Sequence, residues 1–384
     1  MPVLEPIPRI LGAQGPTSGP LLVVLASVHG NEPAGYHAAR RVLARLAQDE
    51  IPLSGRLLCL VGNRAALAAG VRYRDADLNR LWTPAVVARL RRGGSLAAAP
   101  ADEEEARELL AILDAQPRTA RRTVLDLHTT SGASLPFAVL ADSLPNRRLA
   151  RALEVPVILG LEEQLDGTLL SVLEADGWIT SGCEGGRHED PASIDHCEAA
   201  IWLAMEAAGV LEADVGRVPL EAARARLRAA RRGVPRVFEV RYRHAISPAD
   251  RFLMNPGWAS FRTVAANQAL GVDRDGPVLA PEQGRLLMPL YQPTGSDGFF
   301  LMRPVPRAWL VLAWALRRLG VPRLVPLLPG VRRDPARDDV LLVDRRTARF
   351  RALDILHLLG FRRERAEGDL LVVSRRPAEL SRTG

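Results

Sequence analysis

The chain contains no lysine: all 51 of its basic residues are arginine. Many of these arginines stand beside acids, as in "ADEEEARELL" and "RRERAEGD". The formal charge of +7 therefore reads as a compositional habit rather than a binding signature. Aromatics make up only 5%. Neither of the densest basic regions, "ARARLRAARRGVPR" (223–236) and the C-terminal third, interleaves arginine with rings that could stack on bases. Solvated arginine faces are expected, with neither nucleic acid nor membrane as a partner.

Cysteine is nearly absent too. An odd set of three, Cys59, Cys183 and Cys197, excludes a disulfide framework and points to a reducing, cytoplasmic compartment. Long apolar runs are missing: "LLVVLASV" and "WLVLAWAL" (309–316) are too short to span a bilayer. The N-terminal "MPVLEPIPRILGAQGPTSG" has no basic segment leading into an apolar one, so no secretory signal is expected.

What is present is 384 residues, 47% of them hydrophobic. That exceeds the roughly 250–300 residues at which a single core stops growing, so two or three domains are expected. From about 20 to 210, short apolar runs alternate with helical stretches, which predicts an α/β layered domain over 1–215. The strand candidates are "LLVVLASV", "GRLLCLVG", "RTVLDLH", "PFAVLA", "PVILG" and "GWITSGCE". Between them, "AGYHAARRVLARLAQ", "DEEEARELLAILDAQ", "NRRLARAL" and "SIDHCEAAIWLAMEAAG" repeat apolar residues at helical spacing. Residues 235–305 change to short alternating runs broken by Gly and Pro, the texture of a smaller β-rich domain. Residues 307–384 read as an apolar helix, a connector and a strand–helix–strand appendage with no derivable role.

Four stretches carry chemistry. "HGNE" puts His29 and Glu32 just after the first apolar strand, where glycines would let the backbone bend tightly. "LDLHTTSG" brings His128 to the end of another strand, and ligands of α/β sheets bind at strand ends. Two imidazoles and a carboxylate suit zinc. Three protein ligands also leave a position for water whose pKa the ion lowers, as in catalytic sites. In "GCEGGRHED", Glu184 ends a strand and can take the water proton and return it to a leaving nitrogen. "GVRYRDADLNRLW" supplies Arg72, Asn79 and Arg80, which suit an anionic acylated amino acid. His37, His196 and His357 fall in helical patterns and are assigned to structure; His188 either lines the pocket or supports a ligand.

Taken together, "HGNE", "RYRDADLNR", "DLHTTSG" and the later "CEGG" glutamate resemble the succinylglutamate desuccinylase and aspartoacylase family, relatives of the zinc carboxypeptidases. The resemblance covers roughly 20–305, where "LLMPLYQPTGSDGFF" is similar to a segment of bacterial members. It implies a mixed sheet between helices with a β-rich cap over the site. It further implies that His29, Glu32 and His128 bind one zinc and that Glu184 is the general base. By the same resemblance, Arg72 polarises the scissile carbonyl, while Asn79 and Arg80 hold the substrate carboxylate. The segment "CEGGRHED" departs from the family's usual glutamate run. The function implied is a zinc-dependent deacylase of a small N-acylated amino acid, in a chain that can form homo-oligomers. The alternatives are a metallocarboxypeptidase acting on peptides and an inactive relative that binds an anionic metabolite.

Overall fold

The computed structural model describes residues 6–93, 101–118, 120–327, 330–335, 337–344, 363–367 and 370–374, with Leu356, Leu359 and Phe361. His357 and most of "FRALDILHLLGF" lie outside the described residues.

The six apolar runs of the α/β region all form strands. In chain order the strands are β1 (Ile10–Gln14), β2 (Leu21–Ala26), β3 (Arg56–Val61), β4 (Arg122–Thr130), β5 (Phe137–Val139), β6 (Val157–Leu159) and β7 (Ile179–Arg187). There follow β8 (Val237–Ala245), β9 (Leu253–Met254), β10 (Thr263–Val264), β11 (Ala269–Asp273), β12 (Gly276–Leu279), β13 (Gly284–Leu287) and β14 (Asp297–Pro304). The last four are β15 (Val331–Asp334), β16 (Arg337–Asp344), β17 (Arg363–Glu367) and β18 (Leu370–Ser374).

Eleven strands make one mixed sheet in the order β1-β3-β2-β4-β7-β5-β6-β8-β14-β13-β10. The strands β3, β2, β4 and β7 run parallel, β5 opposes β7, and β14 opposes β8. The sheet is thus of the mixed kind, with helices against it. It continues without a break from the α/β part into the β-rich part.

Alternation along each central strand explains why those strands are apolar throughout. Leu22 and Val24 of β2, Leu57 and Cys59 of β3, and Leu125 and Leu127 of β4 enter one core. That core is closed by helices Ala34–Gln48 and Pro191–Ala208. Leu21, Val23 and Leu25, Leu58 and Leu60, and Val124 enter a second core on the opposite face, under helix Ala101–Asp114. A strand covered on both faces has no polar side to show. A third cluster joins β5 and β6 to β8 and β14 through Phe137, Ile158, Phe238 and Phe300.

Three elements differ from the sequence reading. β1 is a five-residue edge strand interrupted by Gly12, too short for a periodic signal. The arginine-dense "ARARLRAARRGVPR" belongs largely to helix Arg217–Ala230, which buries Leu220, Ala223 and Leu227 and turns its arginines outward. Glu184 does not end its strand: β7 runs on to Arg187. The glycines after it serve the packing, since a Cβ on Gly185 would come 2.6 Å from Cys197 Sγ.

The apolar helix is Arg307–Arg318, with Trp309, Val311, Leu312 and Trp314 exposed. Among the described residues no helix is long and apolar enough to cross a membrane. Arg317 fixes this helix to the sheet domain by donating to the Asp142 carboxylate at 2.9 Å, with both side chains 1% exposed. Arg147 also pairs with Asp142. Removing one member of a buried pair typically costs about 3–5 kcal/mol, and Arg147 remains to share the charge. Arg317→Met should therefore lower stability by about 3 kcal/mol in urea denaturation; a loss below about 0.5 kcal/mol would show that the contact carries no weight.

Candidate active site

The chain leaves β2 through Ser27, a non-glycine residue at φ 55°, and this residue turns the backbone, not the glycines. The Ser27 hydroxyl donates to the Glu32 carbonyl at 3.1 Å and closes the loop. Gly30 is required for close approach: a Cβ there would lie 2.0 Å from the Ala66 carbonyl carbon. The bend that the sequence reading assigned to glycine is thus made by a strained serine, while glycine lets a helix pass. The Gly30 amide donates to the Arg72 carbonyl at 3.1 Å, which ties this turn to the segment bearing the arginines.

The turn brings the imidazole of His29 and the carboxylate of Glu32 against His128 at the end of β4. His29 Nδ1 lies 2.8 Å from Glu32 Oε1, and His128 Nδ1 lies 3.1 Å from Glu32 Oε2. The ligand atoms of all three residues fall within 4.8 Å of one another, and all three residues are buried. Burial alone would raise the Glu32 pKa, but His29 and His128 hold its carboxyl well below the usual range. Burial likewise opposes charge on His128, yet Asp126 and Glu32 carry it well above an ordinary histidine.

The far nitrogens are fixed as well. His128 Nε2 lies 3.0 Å from Asp126 Oδ2, and His29 Nε2 lies 3.1 Å from Asp77 Oδ1. A carboxylate behind each imidazole sets its tautomer and leaves Nδ1 for an ion, the usual support of a metal-binding histidine. Asp77 is held well below its ordinary range by His29, Arg72 and Arg80, against the effect of burial. Both aspartates lie outside the residues singled out from the sequence. "DLH" did carry a signal, because residues i and i+2 of a strand share a face.

Glu184 lies on β7 opposite His128 in the parallel register of β4 and β7. It is 7% exposed, and its Oε2 has no hydrogen-bond partner. Burial pushes its carboxyl up to about 8, with Glu32 adding to the rise and His128 opposing it. A divalent cation beside it would draw that value down again.

Arg72 donates to Asp77 at 3.0 Å and lies 3.6 Å from Glu32. Asn79 and Arg80 follow on a short 3-10 turn, Leu78–Arg80, and line the same cleft. All seven residues singled out from the sequence therefore share one cavity. His188 lines it too, with Nδ1 2.7 Å from Thr129 Oγ1 and Nε2 3.4 Å from Gln292 Oε1. His196, by contrast, sits in a helix against the Gly185 carbonyl.

A further residue that the sequence analysis missed holds the arginine segment in place. Asp102, fully buried at the start of its helix, accepts from the amides of Arg74, Asp75 and Ala76 at 3.1, 2.6 and 2.8 Å. The Asn63 side chain donates to it at 2.6 Å. In return, the Ala101 amide donates to Asp75 at 2.8 Å. No local pattern marks this latch, because it joins a loop to a helix 26 residues away.

Five of the structures that this fold matches have TM-scores above 0.5. A succinylglutamate desuccinylase/aspartoacylase from Rhodobacter sphaeroides superposes with a TM-score of 0.57 at 19% identity, covering 77% of this chain and 88% of that one. The succinylglutamate desuccinylase from Vibrio cholerae gives 0.54 at 17% identity, over 75% of this chain and 82% of that one. The fold is thus of the zinc carboxypeptidase-like α/β class. Residues 18–177 match the sequence model of the Succinylglutamate desuccinylase/Aspartoacylase catalytic domain. A succinylglutamate desuccinylase of Burkholderia cenocepacia is 35% identical over 127 residues, 31% of this chain and 34% of that protein. The match thus spans only a third of that relative's length.

Two measurements test the supports of the site. Asp126→Asn should weaken zinc binding by about 10–100-fold in competition with a chromophoric chelator, the usual cost of removing such a support; undiminished affinity would show that Asp126 does not orient His128. Asp102→Ala should destabilise the protein by about 1–3 kcal/mol at neutral pH by stranding its donors. The bound amides hold the Asp102 carboxyl below its ordinary value against desolvation. Its contribution is therefore complete above about pH 4, the unfolded value, and fades as the pH falls through the depressed one. Urea titrations of wild type and Asp102→Ala should converge on acidification; a gap that is independent of pH would contradict this.

Proposed function

We propose that the chain is a zinc-dependent hydrolase that removes the acyl group from the nitrogen of a small acylated amino acid or related amide. The observation that carries this reading is the meeting of a two-histidine, one-carboxylate donor set with a buried, half-unpartnered glutamate in one cleft. That donor set suits zinc. Zinc bound by His29, Glu32 and His128 would supply Lewis acidity, lowering the pKa of water and polarising a carbonyl.

The chain's own residues supply the rest. Asn79 and Arg80 would hold the substrate carboxylate and align the amide. Glu184 would accept the proton of the attacking water at its unpartnered Oε2. Its raised pKa in the absence of an ion suits it to keep that proton briefly and deliver it to the leaving nitrogen. Arg72, anchored by Asp77, would donate to the oxyanion as charge develops there. Met288, Leu290, Gln292 and Asp297 from the β-rich part line the mouth, which favours small substrates over polypeptides. The three buried thiols, all free, suit a reducing cytoplasmic compartment.

Release of free amino acid from N-acyl amino acids by zinc-loaded protein tests this. Glu184→Gln should abolish turnover while still binding zinc, and Arg72→Ala should lower kcat by about 100–1000-fold. Stoichiometric zinc with no turnover on any amide would overturn the reading, and full activity in Arg72→Ala would remove that residue from the mechanism.

A further inference from the structure

The catalytic end of the cleft uses up its positive charge. Two arginines line the cleft, Arg72 and Arg80, against six carboxylates: Glu32, Asp77, Asp126, Glu162, Glu184 and Asp297. Arg72 is committed to Asp77 and faces Glu32. Arg80 donates to the Asn79 carbonyl at 2.8 Å and has Asp297 Oδ2 at 3.9 Å. Asp297 is itself anchored, since Arg243 Nε donates to its Oδ1 at 2.5 Å. Even with a divalent ion at the triad, the described lining carries no arginine left over for a second substrate carboxylate.

Part of the wall, beside polar residues such as Thr130, Thr168 and Ser296, is apolar. Leu161 and Phe300 of the third cluster, with Val139, Leu165 and Met288 packed on it, all line the cleft. Phe300 is 2% exposed and Leu161 3%, so these side chains belong to a built core rather than to a mobile rim. A substrate group lying there exchanges water for hydrocarbon, which favours an alkyl or aryl group and penalises a carboxylate with no partner.

We infer that the amide cleaved carries a single carboxylate, at Asn79 and Arg80, and an apolar group against the Leu161–Phe300 wall. The substrates are then N-acyl derivatives of apolar amino acids rather than of aspartate or glutamate. Asp297 is a specificity determinant: its charge, on the cleft wall 3.9 Å from Arg80, repels a second carboxylate. This inference rests on the deacylase reading, and its test separates the two.

Zinc-loaded protein would be given N-acetyl-leucine, N-acetyl-phenylalanine, N-acetyl-aspartate and N-succinyl-glutamate. Binding of the same four to Glu184→Gln would be followed by calorimetry. The apolar pair should exceed the acidic pair by about tenfold or more in kcat/KM, the scale of discrimination that an apolar pocket provides. Asp297→Asn should move the ratio towards the acidic pair. A wild-type preference for the acidic pair would overturn the inference and leave the deacylase reading standing. Absence of turnover on all four would overturn the deacylase reading. In that case the order of binding to Glu184→Gln decides the inference: apolar ligands bound more tightly support it, and acidic ligands bound more tightly overturn it.

Discussion

The Glu32 carboxylate is the contact on which the site depends. It is 2% exposed, a degree of burial at which an unpaired ionised carboxyl would be very costly. Its charge is met by His29 on one oxygen, by His128 and the Thr129 amide on the other, and by Arg72 at the edge. Those partners come from the turn after β2, the end of β4 and the 70–82 segment. Compensating one buried charge therefore fixes three separate pieces of chain at once. Each partner then needs its own counter-charge, which Asp77 and Asp126 supply. The site grows outward as alternating signs until it reaches backbone amides, as it does at Asp102.

Such an arrangement can be closed by protons or by an ion. Without an ion, the raised pKa of His128 and the lowered pKa of Glu32 describe two groups that share their charge through hydrogen bonds. An ion at the same atoms would displace those protons, so that binding is linked to pH and to the stability of the turn. Glu184 marks the opposite tension. Burial on the cleft wall pushes its carboxyl up to about 8, the direction in which keeping it ionised costs stability. A residue retained against stability in this way is expected where chemistry needs a proton carrier.

The legible part of the sequence was the part with local causes. Strands apolar on both faces could be read because each one meets two cores, and helix Ala34–Gln48 could be read from its spacing. The candidate ligands His29, Glu32 and His128 were visible because histidine and glutamate at strand ends are chemically conspicuous. Asp102, Gln292 and Asp297 were not visible, since their partners lie far away in the chain. The glycines were visible but were given the wrong task. Gly30 and Gly185 admit a helix at close range, and only the packed structure shows what a Cβ there would strike. Strand β7 shows the same limit: glycines that look like a strand's end are bridged because β4 offers an extended partner on one side.

The family-model match takes in only part of the cleft wall: Val139, Leu161 and Leu165 lie inside it, Met288 and Phe300 outside. The match ends at residue 177 and contains His29, Glu32, Arg72, Asn79, Arg80 and His128. Glu184, Met288, Asp297 and Phe300 fall beyond it, although β14 places Asp297 and Phe300 on the same continuous sheet as the ligands. A cleft built on one sheet holds both halves rigidly against each other, yet their residues are set by separate stretches of sequence. The charge at Asp297 is thus set beyond the matched stretch, whereas the hydrocarbon of the third cluster is drawn from both sides of its end.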